Sequence, residues 1–483
     1  MNLIILLLLM LAVVLVFRTI FVSSTKSKAN PVSVPQISDA AIETLSDAIR
    51  IQTISHNDPN FDNTSEFIRF QEFLAERFPE VHDRLDIQRF DEYGILYLWK
   101  GRNPGLKPVM LTAHYDVVPA DTPGWDMDPF SGTIKDNAIW GRGTLDYKVG
   151  VIGMLEATQQ LLKEGFEPER TIILAFGGDE EVNGPKGAMK MAAWLKNKGI
   201  HLEYILDEGA VIARDMMPEV NVPIALIGIA EKGHINVELS ACLSCGHASM
   251  PPDHTAVGLI SRAITRLESK QFQSRLTPPV RLFLKHLASH VSPGKRLFLS
   301  NLWLFSFPVK QRFLRKPASA SMVRTTMAVT MISGSDKENT LPDKATAIIN
   351  IRILPGENIE GTLHRLNKII NDKDVKIRLQ DSWININPIQ ASSTKAPGYI
   401  QIAETISRYF PETVTTPYLV TASTDSKHYT GVTDNIYRFL PLTLTPSDLE
   451  GIHGINEHIR IADFKRCIQF YAALIKKSGG RDA

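Results

Sequence analysis

Two imidazoles and several carboxylates stand in contexts that suit metal chemistry. In "MLTAHYDVVPA" an apolar run ends in His114 and Asp116. Side chains two apart share a face of a strand, so a buried strand over 108–112 would project both from its end. A histidine satisfied by a nearby carboxylate accounts for this stretch as well as a metal ligand does. In "IWGRGTLDYKVG" Gly141 and Gly143 permit a tight backbone approach, and Asp146 stands just before a helix starting near Lys148, where a helix cap would also explain it. "AFGGDEEVNG" ends a strand in the neighbours Glu180 and Glu181, and two adjacent carboxylates repel unless cations neutralise them. "LDEGA" offers Asp207 at a strand end, and "GIHGINEHI" offers His453 between glycines. This donor set suits zinc and, less well, manganese or cobalt. Its size favours two ions sharing one carboxylate, each with one histidine and one further carboxylate, leaving a glutamate free as a base.

The elements that must position these groups read as an alternating α/β chain. "ILYLWKG", "PVMLTAH", "TIILAFGGDEE" and "YILDEGA" are short strands separated by helical stretches, and most end in acidic or histidine residues. Ligand sites of open α/β sheets lie outside the carboxyl ends of the strands, where these groups fall. After "IALIGIAEKG" three strand-like runs with helices between them predict a smaller inserted α+β domain. The expected division is a membrane anchor or signal over 1–22, a linker over 23–35, a catalytic domain over 36–231 and 356–483, and the insert over 232–355.

The chain has 483 residues, 44% of them apolar and 22% charged, and its 53 basic and 52 acidic side chains leave a formal charge of +1. No bulk field favours nucleic acid. Three cysteines exclude a disulfide framework, and the single C-x-x-C, Cys242 and Cys245, follows a strand-like run, so both are expected to be ordinary cysteines. Leu3 to Phe17 is unbroken apolar sequence, and with the residues after Arg18 it reaches the ~20 needed to cross a bilayer. No clear cleavage signal follows, which favours an uncleaved anchor. Arg18, Lys26 and Lys28 after the run would hold the rest cytosolic by the positive-inside rule, a weak signal. The expectation adopted is a catalytic part that is extracytoplasmic or in the secretory lumen, and secreted if the segment is cleaved. Between Ser269 and Arg324, apolar clusters such as "LWLFSFPV" alternate with eleven Lys or Arg and no acid. The segment reads as a helical cover on its own domain, or as a surface for anionic lipid or an acyl chain.

Together these motifs resemble the di-zinc aminoacylase and carboxypeptidase family, especially the branch of carboxypeptidase S and the N-fatty-acyl-amino-acid synthase/hydrolases, over about residues 36 to 476. The resemblance implies a zinc-peptidase-type catalytic domain with a mixed, mostly parallel sheet flanked by helices, plus a small α+β lid or dimerisation domain. It implies two zinc ions, replaceable by cobalt or manganese, bridged by Asp146, with His114 and Asp207 completing one and Glu181 and His453 the other. Glu180 would be the general base, Asp116 would fix a ligand or the base by a hydrogen bond, and the Asp146–Tyr147 peptide would be cis. His247 in "SCGHASMPP" would polarise the scissile carbonyl, often across a homodimer. Asn339 in "KENTLPD" and Arg352 in "INIRILPG" would bind the substrate carboxylate and the oxyanion region. The implied reaction is cleavage, or reverse condensation, of an amide next to a free carboxylate, in N-fatty-acyl amino acids or at C-terminal peptide bonds. Two alternatives stand beside it: a carboxypeptidase S-like peptidase with no acyl preference, and a membrane-surface binding protein that has lost catalysis.

Overall fold

The computed structural model describes residues 3–21 and 37–480, apart from 57, 59, 122, 218 and 381–384. The linker expected over 23–35 lies outside them. Ten strands form a large mixed sheet whose centre runs Gly94–Trp99, Ile172–Gly177, Val109–His114, Tyr204–Asp207, Ile436–Arg438 and Ile224–Glu231. Val109–His114 is parallel to both its neighbours. A central strand covered on both sides should be apolar at every position, and here all six residues are buried. Alternate residues serve different layers. Val109, Leu111 and Ala113 pack with the helices Lys148–Lys163 and Ile461–Gly479, whereas Met110 packs with Met191 and Leu195 of Ala188–Asn197 on the other face. His114 continues the second face beyond the last methyl groups, so the pleat delivers its ring to the sheet's carboxyl edge.

The small sheet is antiparallel, ordered Thr326–Ser333, Lys344–Ile353, Gly233–Cys242 and Val375–Leu379. Lys344–Ile353 alternates between buried and more open residues, the mark of a sheet covered on one face. The cover is the helix Ala256–Ser269, with Thr255 as N-cap accepting from the Gly258 amide, together with Ile359–Ile370. Leu366, Ile369, Ile370 and Val375 belong to this core. The small layer therefore continues beyond residue 355, because the amphipathic helix after it has its apolar stripe against this sheet and not the large one.

The segment 269–324 goes the other way. Its helix Pro278–Leu287 puts Val280, Phe283 and Leu284 against Ile224, Leu226 and Leu419 of the large sheet, with Phe283 and Tyr418 ring centroids 5.8 Å apart. Lys232 sits where the chain passes between sheets, and its buried ammonium donates to the carbonyls of Ser321 and Arg324 and to Thr326 Oγ1. One cation thus ties the outgoing strand to the returning one.

Candidate functional site

At the carboxyl edge, His114 Nε2 lies 3.0 Å from Asp146 Oδ1 and 3.3 Å from Glu208 Oε1. The other Asp146 oxygen, Oδ2, is 3.0 Å from His453 Nε2, which is also 3.0 Å from Glu181 Oε1. Asp146 therefore stands between two imidazoles, each with a second carboxylate beside it. Glu180 belongs to the His114 side, where one ligand atom from each of His114, Glu180 and Glu208 falls within a 4.8 Å group; His114, Asp146 and Glu181 form another such group.

The loop that presents Asp146 is held by Glu457. Its Oε1 accepts from the amides of Gly143 (3.1 Å), Leu145 (2.7 Å) and Asp146 (3.2 Å), and its Oε2 accepts from Arg142 Nη1 at 2.7 Å. Gly143 has φ of +92°, and a Cβ there would meet Val117 Cγ1 at 2.8 Å, so close approach and backbone sign both require glycine. The Asp146–Tyr147 peptide is cis, as the resemblance implies. Asp146 does not cap the helix Lys148–Lys163: the flanking residue is Tyr147, without a side-chain cap.

Asp116 holds the opposite loop. It accepts from the amides of Glu180 and Glu181 at 3.1 and 3.0 Å and from Ser55 Oγ at 2.6 Å, and its Oδ1 lies 3.3 Å from His114 Nδ1. A single buried carboxylate thereby orients one histidine and two glutamates, the kind of outer support that metal sites depend on.

Asp207 is not turned toward this cluster. Its Oδ2 accepts from the Ser426 amide at 2.9 Å and its Oδ1 from the Glu208 amide at 2.9 Å, and the carboxylate beside His114 belongs to Glu208. The strand Tyr204–Asp207 ends there, and strand alternation does not govern the residue after it. The repeated sequence signal, two neighbouring acids at a strand end as at Glu180 and Glu181, marks Glu208 as readily as Asp207. Glu457 carried no sequence signal, because its partners, three backbone amides and the Arg142 guanidinium, are more than 300 residues away.

Burial raises the pKa of Glu180, Glu181 and Glu208, the last to about 8. Burial also opposes charge on His114, but Glu208 and the other carboxylates around it outweigh this and hold the ring well above its ordinary value. The cluster is acidic and mostly sheltered, with His453 at its open side, 51% exposed, and such a gathering of carboxylates suits cations.

Arg352 stands in the strand Lys344–Ile353 of the small sheet. Burial lowers its pKa, the charges of Glu231 and Glu180 oppose that, and its buried Nη1 has no hydrogen-bond partner among the described residues. His247 and Asn339 lie elsewhere, together at an exposed two-stranded ladder of the small domain, Gly246–His247 against Thr340–Leu341. The Ala248 amide donates to the Asn339 carbonyl at 3.1 Å, and His247 Nδ1 is 2.8 Å from Ser249 Oγ. Their hydrogen bonds do not join them to the buried cluster. Cys242 and Cys245 are free and exposed.

Imidazoles sharing a carboxylate at the strand ends of an α/β sheet are the arrangement of a metal-dependent hydrolase. A model of the peptidase family M20/M25/M40 matches residues 110–477. The chain is 37% identical over 478 residues to the probable carboxypeptidase S-like 2 of Dictyostelium discoideum, covering 96% of this chain and 91% of that one. It is 35% identical over 440 residues to the N-fatty-acyl-amino acid synthase/hydrolase PM20D1 of Mus musculus, covering 90% and 87%. It is also 31% identical over 493 residues to carboxypeptidase S of Saccharomyces cerevisiae, covering 90% and 84%. Among solved structures, an M20 family metallo-carboxypeptidase from Sulfolobus solfataricus superposes with a TM-score of 0.66 at 17% identity, covering 91% of this chain and 99% of that one. Human carnosine dipeptidase 1 gives 0.64 at 17%, covering 91% and 96%. The chain belongs to the M20/M25/M40 peptidase family, whose enzymes are metallohydrolases.

Proposed function

We propose that the protein hydrolyses an amide bond next to a free carboxylate, with N-fatty-acyl amino acids as its substrates, and that the same site can run the condensation in reverse. The observation that supports this most is Asp146 lying between His114 and His453, with Arg352 presenting a buried, unpartnered guanidinium nitrogen close enough to feel the Glu180 charge.

Two zinc ions fit the donor set. Asp146 would be shared between them, His114 and Glu208 would complete one, and His453 and Glu181 the other, so Glu208 takes the role expected of Asp207. Bound metal supplies Lewis acidity, lowering the pKa of water and polarising the amide carbonyl. Glu180 takes the proton from the attacking water and gives it to the departing amine. Arg352 grips the substrate carboxylate through two parallel N–H donors, which places the scissile carbonyl over the cluster. Asp116 keeps Glu180 and Glu181 aimed. His247 and Asn339 complete recognition when the small domain closes over substrate or docks on a second copy. The N-terminal helix, whose length and composition suit a signal sequence or an anchor, is read as an anchor holding the catalytic part outside the cytoplasm or in the secretory lumen.

The full chain, loaded with zinc or cobalt, would be assayed against long-chain N-acyl amino acids, their methyl esters and blocked dipeptides, following release of amine. Cleavage of the free-acid acyl compounds with loss of the esters is the expected result. Cleavage of dipeptides alone would instead favour the carboxypeptidase S-like reading, and no turnover on either would overturn both.

A further inference from the structure

The helix Leu3–Ile20 has no buried residue and a mean hydropathy of 3.0, a surface that water does not tolerate. Its exposure is nonetheless uneven. Leu11, Leu15 and Thr19 are part-covered while the residues between them are open, and this fourfold spacing is one stripe of a helix. The stripe meets the helix Pro293–Ser300 and the residue after it. Asn301, fully buried, puts Nδ2 3.3 Å from the Leu15 carbonyl and 3.3 Å from Thr19 Oγ1, while Thr19 Oγ1 itself donates to the Leu15 carbonyl at 2.6 Å. The membrane-length helix is therefore keyed to the protein body by a polar contact. The stripe from Leu11 to Thr19 covers about 12 Å at 1.5 Å per residue, nearly half the helix, so the body runs alongside that half and does not merely touch its end.

The flanking helices Pro293–Ser300 and Leu302–Phe313 carry large apolar side chains turned outward: Phe298, Trp303, Leu304 and Phe307, the last 67% exposed. Arg315 and Lys316 follow, both exposed, and Arg18 is exposed on the N-terminal helix. No acid occurs between Ser269 and Arg324. Lys295 and Arg312 on these helices pair with Glu219 from outside the segment, and aromatic side chains beside the cations Arg18, Arg315 and Lys316 are the composition of a surface lying at a lipid interface.

We propose that Pro293–Ser300 and Leu302–Phe313 seat in one leaflet of a lipid bilayer beside the N-terminal helix, with Trp303, Leu304 and Phe307 in the acyl region and Arg315 and Lys316 at anionic headgroups. The occupant is lipid and not another protein because the exposed patch adjoins a helix apolar over its whole length, and one hydrophobic medium can cover both. The proposal does not depend on which amide the site cleaves.

The test uses the full chain in nanodiscs of phosphatidylcholine and phosphatidylglycerol, with or without bromine on the acyl chains, reading tryptophan fluorescence of wild type and Trp303→Phe. Bromolipid should quench the wild type at least twofold more than Trp303→Phe. Equal quenching of the two, with iodide in the aqueous phase quenching Trp303, would overturn the proposal and leave the patch facing water or a protein partner. A second measurement guards against a local fault in that variant: Arg315→Glu with Lys316→Glu should reduce the wild-type quenching in anionic discs and leave it unchanged in neutral ones, and no reduction in anionic discs would count against the headgroup contact.

Discussion

The acidic cluster and the exposed two-stranded ladder of the small domain hold their polar groups in opposite ways. Around the cluster, the supporting carboxylates are fixed by backbone amides: Asp116 by two, Glu457 by three and Asp207, turned away from the cluster, by two. On the ladder, His247 has Ser249 as its partner, and among the described residues Asn339 makes only a long 3.4 Å side-chain contact with Thr340. The first arrangement is preorganised, with little left to order when ligands arrive. The second leaves side chains with few fixed partners among the described residues, which on the proposed function would be met by substrate or a second copy.

This contrast predicts two classes of variant. Those at the ligands of the cluster and at their supports should change metal content, whereas the base Glu180 and the exposed ladder should change turnover at constant metal. The largest effect is expected for Asp146→Ala, which should abolish activity and lower bound metal as read by elemental analysis. Glu180→Gln should cost about 10² to 10⁴ in kcat while metal content and circular dichroism stay at wild-type values, since general-base catalysis is worth that much. Unchanged kcat would remove Glu180 from the mechanism. Next, Glu457→Gln should weaken metal binding by about 10- to 100-fold, the usual cost of losing support behind a ligand, measured by competition with a chelator. Glu208→Gln and Asp207→Asn make the sharper pair: the first should lose metal, the second should lose thermal stability first.

Smaller effects belong to recognition. Arg352→Lys should raise KM by about tenfold or more with a lesser change in kcat, because an ammonium cannot grip a carboxylate with two parallel bonds. His247→Asn should lower kcat with metal retained. If His247→Asn lost metal, the division between the two regions would fail.

The smallest effect is a pH dependence. Burial, helped by the Arg352 and Lys427 charges, pushes His234 down to about 4, and its ring accepts from Asn350 Nδ2 at 2.7 Å. The unfolded chain, with an ordinary histidine, binds the proton more readily, so this group's contribution is present above pH ~6.5 and is lost as pH falls toward 4. Between pH 7 and 5 the wild type should lose more Tm than His234→Gln; parallel losses would show that His234 stays neutral in both states or is not the group responsible.

Much of this protein is local information. Apolar runs of strand length, bounded by glycine and acid, marked the central strands, and the positions of His114, Asp146, Glu180, Glu181 and His453 at element ends marked them as candidates, because pleat and strand direction depend on nearby residues alone. The switch from Ile224–Glu231 in one sheet to Gly233–Cys242 in the other was visible as a change of texture around Lys232. Three matters waited for the tertiary structure. The position of Glu208 rather than Asp207 beside His114 turned on a hydrogen bond from the Ser426 amide to Asp207, over 200 residues away. The support from Glu457 to the Asp146 loop spans more than 300. The helices after Ser269 could have packed on either sheet, since an apolar stripe names no partner, and the fold put them on the large sheet beside the N-terminal helix. Periodicity tells which face of an element is buried, but only the closed chain determines what that face is buried against.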